Sequence, residues 1–358
     1  MPVAPVDERG TKLFYTDTGS LPTPKYKTLV IVHGYSWHSA VFSRLVPLAP
    51  KHGIRLICVN RRDFPGSTPY APEEIDPVRT GDAQDYAKFM NARAQELGRF
   101  IHHLLEVEGI PGLDEKGQGG VSLLGWSLGN VFCLSLLDNL NNLPPNVAQS
   151  LAKNLDSYIM YDAPHWALAL KDPPPGSDYR SALKEGKTQE DFIRALNSFL
   201  SGYYHNEKPI RDPSKLLILS GNTGRIATSD NMSPEELKAC FDIEAQNRSD
   251  VPILRGIRFD AFNRIARKVL FGEGKAQPYK LPCRIYGLWG EQSCWITVFA
   301  GWSFTEHLRE RKERGEYVPP IPVVWMKNGN HFAHWDEPED FMKISVGLMH
   351  GPPLVNKL

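Results

Sequence analysis

The stretch Val121-Ser122-Leu123-Leu124-Gly125-Trp126-Ser127-Leu128-Gly129-Asn130-Val131 decides the fold. Residues 121–124 form an apolar run of strand type, and from Val131 to Leu140 apolar residues recur at helical spacing. Between them lies a G-x-S-x-G pentapeptide with Ser127 at its centre. A serine on a sharp turn between a strand and a helix is a nucleophile elbow. The turn is strained, so small residues flank the serine and its hydroxyl is pushed out above the sheet edge. The next backbone N–H, that of Leu128, lies at a helix start, where partial positive charge stabilises a developing oxyanion. The pentapeptide alone arises by chance in many chains; the strand before it and the helix after it make Ser127 the expected nucleophile.

Working outward, residues 11–16 and 27–32 read as strands, the second buried and ending at His33-Gly34. A short helix-like stretch follows at residues 40–48, then an apolar strand at 54–59 that runs into the turn-rich loop 60–67. From Asp82 to Val107 the residues Tyr86, Met90, Leu97, Ile101 and Leu104 keep helical spacing, with Asp82 as N-cap and Gly109 as stop. Residues 157–161, 283–289 and 322–326 are further strands. This alternation predicts an α/β protein with a doubly wound, mostly parallel sheet. Residues 165–255 break the pattern: they are proline-interrupted, aromatic and largely helical, with a strong helix start at Ser233-Pro234-Glu235-Glu236. The expected organisation is a core at 1–164, a helical lid inserted at 165–255 after the strand that ends at Asp162, and the rest of the core at 256–358.

The chain has 358 residues, 41% hydrophobic and 23% charged, enough to bury a full core. With 41 basic and 41 acidic residues its formal net charge is zero, and no basic block stands out, which argues against a nucleic-acid groove or a polybasic membrane patch. Cys58, Cys133, Cys240, Cys283 and Cys294 are odd in number and lack C-x-x-C spacing, the pattern of buried thiols in a reducing compartment. No run approaches the roughly 20 apolar residues of a membrane span, and residues 1–8 lack the basic and apolar parts of a signal peptide. A cytoplasmic protein is expected. The terminal Asn356-Lys357-Leu358 is close to the peroxisomal S-K-L address, although Asn356 is not the small residue preferred there.

An activated serine needs a base, and His331 is placed for it in the loop Lys327-Asn328-Gly329-Asn330-His331-Phe332, at the carboxyl end of the last expected strand. His334 stands three residues on, but with no H-E-x-x-H helix and no third ligand the pair does not read as a metal site, and no metal or organic cofactor is called for. Asp336 reads as the cap of a following helix, with Glu339 completing a capping box. His33 reads as a hydrogen-bonded structural residue. The Tyr35 amide after His33-Gly34 is the natural second oxyanion donor beside that of Leu128. Trp126, Trp37 and Trp166 are expected around the substrate pocket, and the lid aromatics Phe192, Phe199, Tyr203, Tyr204 and Phe241 supply its apolar character.

Taken together, His33-Gly34-Tyr35, the loop Arg61-Arg62-Asp63-Phe64-Pro65-Gly66-Ser67, the pentapeptide around Ser127 and Asn330-His331-Phe332 resemble the α/β-hydrolase superfamily, in its lidded esterase/epoxide-hydrolase-like branch. The resemblance implies an eight-stranded-type sheet, a Ser-His-acid triad and a small-molecule substrate. One departure concerns the acid: the loop Gly290-Glu291-Gln292-Ser293 carries Ser293 where the family usually has aspartate. Asp162, at the end of the strand after the elbow helix, and Glu291 are the two replacements. A second departure is the serine itself, since epoxide hydrolases and dehalogenases of this fold use aspartate. The expected activity is hydrolysis of a medium-sized apolar carboxylic ester or lactone through an acyl-enzyme. The alternatives are a biosynthetic acyltransferase, cyclase, C–C hydrolase or lyase using the same triad, and a receptor-like ligand-binding protein on a hydrolase scaffold.

Overall fold

A strand with no polar face has to lie inside a sheet that is covered on both sides. Three such segments, β3 (Lys27–Val32), β4 (Ile54–Val59) and β5 (Val121–Trp126), are buried at every position. They form the centre of the sheet in the computed structural model, which describes residues 2–170, 188–206, 223–256, 259–272 and 281–351. With β1 (Val3–Pro5), β2 (Lys12–Asp17), β6 (Leu155–Tyr161), β7 (Arg284–Gly290) and β8 (Val323–Met326) the sheet has eight strands in the order β1-β2-β4-β3-β5-β6-β7-β8. The first two run antiparallel, whereas β3 to β8 are mutually parallel. Strand order reverses at β3, which lies between β4 and β5, and the crevice above such a reversal is where open α/β sheets bind ligands.

Side chains alternate between two cores. Val30, Val32, Ile57, Val59, Leu123, Tyr158 and Met160 face α2 (Ala83–Glu106), α3 (Gly129–Asp138) and the helix Phe259–Phe271. Leu29, Ile31, Leu56, Leu124, Ile159 and Tyr161 face the 3-10 turn Ser39–Leu45 and the last helix, Pro338–His350. Asp82 caps α2, accepting from the N–H groups of Gln84 and Asp85. Several elements lie outside the sequence expectation, among them the helices Pro145–Asn154 and Trp295–Glu313, β1 and the helix Pro72–Thr80. β1 is too short to show alternation. The first helix, α1 (Pro72–Thr80), carries an internal Pro77 and few apolar residues; it is secured by Glu74, which accepts from the Ala71 N–H and pairs with Arg62.

All described residues between β6 and β7 are helical or irregular. The helix Phe259–Phe271 belongs to the sheet's first core, while residues 188–206 and 223–250 lie against the loops at the carboxyl ends of the strands. Backbone hydrogen bonds join His38 N–H to Cys240 C=O and Asp242 N–H to Ser36 C=O. The Ser233 cap accepts from the Glu236 N–H, and Glu236 reaches back in a full capping box. Among the described residues no helix is long and apolar enough to cross a membrane. Residues 171–187 and 207–222, within the range where a lid is expected, and the terminal Asn356-Lys357-Leu358 lie outside the described residues.

Burial is the main cause that pushes the pKa of three of the buried histidines, His33, His38 and His334, below the ordinary imidazole value, that of His38 to about 4. Each is neutral when folded and free to protonate when unfolded. Their contribution to stability is therefore complete above about pH 6.5 and is lost as pH falls toward 4, with a limiting slope of about 1.4 kcal/mol per pH unit per histidine. Urea midpoints are expected to drop between about pH 7.5 and about pH 5.5; equal midpoints would contradict this account.

Candidate active site

Ser127 directly follows β5 with φ of +51°, a left-handed backbone that serine adopts only under constraint. The constraint is close approach. A Cβ on Gly129 would lie 2.2 Å from the Val32 carbonyl oxygen, and one on Gly125 would lie 2.9 Å from the Asn130 backbone. Neither position admits a side chain, which is the physical content of the two glycines in the pentapeptide. Asn130 locks the turn from below: its Nδ2 donates to Ser127 C=O at 2.9 Å and to Tyr161 C=O at 3.2 Å, and its Oδ1 accepts from Tyr158 at 2.7 Å. Leu128 occupies the cap position of α3, so its amide stands at the helix N-terminus. Gly34 approaches from β3; a Cβ there would be 3.1 Å from Ser127 Cβ. The loops carrying the Tyr35 and Leu128 amides thus flank the serine at the strand-order reversal.

Asp162 follows β6 with φ of +44° and is wholly buried. His331 Nδ1 lies 2.9 Å from Asp162 Oδ2. A carboxylate beside Nδ1 holds the imidazole proton there and leaves Nε2 as the basic nitrogen. The same carboxylate accepts from Gly290 N–H at 2.8 Å and from Ser293 Oγ at 2.6 Å. Ser293, in the loop after β7, thus donates to a carboxylate that arrives from β6. Glu291 is held through its backbone, its N–H donating to Met326 C=O at 3.0 Å and its C=O accepting from Asn206 at 3.0 Å.

The histidine loop is fixed at several points. The His331 carbonyl accepts from Trp126 Nε1 at 3.0 Å and from the Tyr161 hydroxyl at 3.3 Å. Asn330 donates to Ser201 C=O at 2.7 Å and to Thr228 Oγ1 at 2.8 Å, while its Oδ1 accepts from Phe332 N–H at 2.9 Å. Asp336 departs from its expected role. The last helix is capped at Glu337 without a side-chain bond, and Asp336 instead accepts from the Tyr203 hydroxyl and from Thr228 Oγ1, tying the residues between β6 and β7 to the histidine loop. His334 is buried against Trp126 and Phe332, with Nδ1 3.3 Å from the Tyr161 hydroxyl. Among the described residues no group of three His, Cys, Asp or Glu side chains is arranged around a common metal position.

The aromatic residues divide into two groups. Trp126 and Trp37 are almost fully buried: Trp126 packs beneath His331, and Trp37 packs on Phe241 and Phe332 while donating to Asn197. Tyr203 and Tyr204 spend their hydroxyls on Asp336 and on Phe199 C=O. Trp166 is half-buried against the first core, and Phe192 and Trp302 are half-buried in a cluster with Tyr35, Phe199, Trp295 and Phe299.

Asn130 and Asn330 stand beside the residues that motif reading picks out, but the bonds that make them supports, to Tyr158 and Tyr161 and to Ser201 and Thr228, span long separations and leave no pattern in the sequence.

A family model described as the alpha/beta hydrolase family matches residues 29–344. No curated protein matches significantly by sequence. Among solved structures the chain is similar to an esterase from Exiguobacterium antarcticum, with 18% identity over 98% of this chain and 99% of that one and a TM-score of 0.56. It is also similar to a bromoperoxidase from Bacillus anthracis (15% identity, 97% and 98% covered, TM-score 0.54). The epoxide hydrolase VrEH1 from Vigna radiata has the same fold at 13% identity, with 97% and 96% covered and a TM-score of 0.51. With the sheet order, the elbow and the family match in agreement, this chain belongs to the alpha/beta hydrolase family.

Proposed function

We propose that the protein is a serine hydrolase that cleaves a medium-sized, apolar carboxylic ester or lactone. Ser127 Oγ attacks the carbonyl carbon while His331 Nε2 takes its proton. The Tyr35 and Leu128 amides stabilise the oxyanion, and His331 returns the proton to the leaving alcohol. Water, deprotonated by the same nitrogen, then releases the acid and restores Ser127. Asp162 keeps the imidazole tautomer and offsets the imidazolium charge. The observation that carries this reading is the Asp162–His331 hydrogen bond at strand ends beside a serine held at positive φ. The apolar substrate class rests on the half-buried aromatics Tyr35, Phe192 and Trp302. Residues 165–255 act as the cap that carries part of this wall.

Incubation with a fluorophosphonate is expected to add one adduct to the intact protein and none to Ser127→Ala or His331→Ala. A folded wild type that stays unmodified would sink the proposal. Asp162→Asn is expected to lower kcat on an activated ester by about 10⁴-fold, the order seen when a triad histidine loses its orienting carboxylate. Ser293→Ala removes one charge-assisted hydrogen bond from Asp162 and is expected to cost about tenfold in kcat. If Ser293→Ala matched wild type while Glu291→Gln lost activity, the acid would have to be reassigned to Glu291.

A further inference from the structure

Two peptide units meet at Tyr35, and each is gripped by a buried side chain. The first joins Gly34 C=O to Tyr35 N–H. Its carbonyl accepts from Arg61 Nη2 at 2.8 Å and from His33 Nδ1 at 3.0 Å. The His33 proton sits on Nδ1, because Nε2 accepts from the Arg61 N–H at 3.0 Å. In a trans peptide the N–H and C=O point in opposite directions, so fixing the Gly34 carbonyl also fixes the direction of the Tyr35 N–H. A guanidinium on the carbonyl polarises the same amide and strengthens it as a donor. The second unit joins Tyr35 C=O to Ser36 N–H, which donates to Asp250 Oδ2 at 2.8 Å. Ser36 has φ of +65°, a conformation that must be held in place.

Asp250 closes the arrangement. It pairs with Arg61 through Nη1–Oδ1 at 2.8 Å and Nη2–Oδ2 at 3.0 Å, with both side chains buried. It is the last residue of the π-helical turn Gln246–Asp250, whose first residue accepts from Ser36 Oγ at 2.6 Å. A π turn re-aims side chains relative to an ordinary helix, and such turns gather at functional positions. Here it brings residues four apart onto one serine of the loop after β3.

Building on the hydrolase reading above, we propose that Arg61 and Asp250 are positioning residues for the oxyanion site: Asp250, carried between β6 and β7, holds Arg61 and the Ser36 amide so that the Tyr35 N–H is aimed at the intermediate on Ser127. Docking of that segment on the loop after β3 completes the site.

Asp250→Asn keeps the side-chain shape and an acceptor for Ser36 but removes the charge that holds Arg61. Its fluorophosphonate labelling rate and its kcat on p-nitrophenyl acetate are expected to fall about tenfold or more, with KM within about twofold, against the 10²- to 10³-fold cost of deleting an oxyanion donor outright. Asp250→Glu is expected to recover part of the loss. Arg248→Ala cuts the neighbouring tie to Asp63, at 3.0 Å, and is expected to label at the wild-type rate. Hydrogen exchange at the Tyr35, Ser36 and Trp37 amides is expected to rise in Asp250→Asn while the sheet stays protected, a readout that does not need catalysis. Wild-type labelling and exchange in Asp250→Asn would overturn the inference, as would an equal labelling loss in Arg248→Ala. A wild type that does not label defeats the hydrolase reading instead, and the exchange experiment still reads the loop.

Discussion

A carboxylate with no access to water stands only where fixed donors replace its hydration. Asp162 is in that position, and its three donors come from the two strands beyond its own: the Gly290 amide and Ser293 hydroxyl after β7, and the His331 ring after β8. One buried charge therefore ties together the carboxyl ends of β6, β7 and β8. The His331 ring cannot turn without leaving that charge short of a donor, and the His331 carbonyl is held by Trp126 and Tyr161 from β5 and β6. The orientation of the imidazole follows from how parallel strand ends pack, before any substrate is considered.

Much of this was legible in the residues alone. A parallel sheet covered on both faces leaves runs that are apolar on both faces, and 29–32, 56–59 and 123–126 are such runs. The two glycines beside Ser127 mark contacts too close for a Cβ, so the elbow could be read from composition and order. His331 was marked by its place after the last strand. The sequence leaves the acid open between Asp162 and Glu291, and nothing in it shows that Asp162 takes a left-handed conformation and turns its carboxylate toward β7. Ser293 stands where the family usually has aspartate, and its hydroxyl donates to the Asp162 carboxylate. Asp336 had every local mark of a helix cap, yet its oxygens serve Tyr203 and Thr228, 133 and 108 residues upstream. Local chemistry describes what a side chain can accept from and leaves open which donor arrives.

The segment between β6 and β7 rests on loops, and the contacts recur after four strands. After β3 it holds Ser36 through Gln246 and Asp250; after β4 it holds Asp63 through Arg248. After β7, Tyr204 N–H donates to Gln292 C=O and Asn206 donates to Glu291 C=O. After β8, Asn330 and Asp336 meet Ser201, Thr228 and Tyr203. These ties are polar and short, and several engage backbone groups directly, so they fix where loops run more than they add apolar burial.

That division separates two kinds of constraint in one site. The Ser127 and His331 side chains are set by the sheet, through glycines that admit no Cβ and through a buried carboxylate held by three donors. The peptide orientation around Tyr35 is set from outside the sheet, by an ion pair with one partner, Arg61, at the end of β4 and the other, Asp250, in the inserted segment. Breaking such a pair strands a buried charge, whereas replacing one packed apolar side chain by another changes mainly shape. In the proposed mechanism the aromatic wall can vary with the substrate, while the ties can vary only together with the loops they hold.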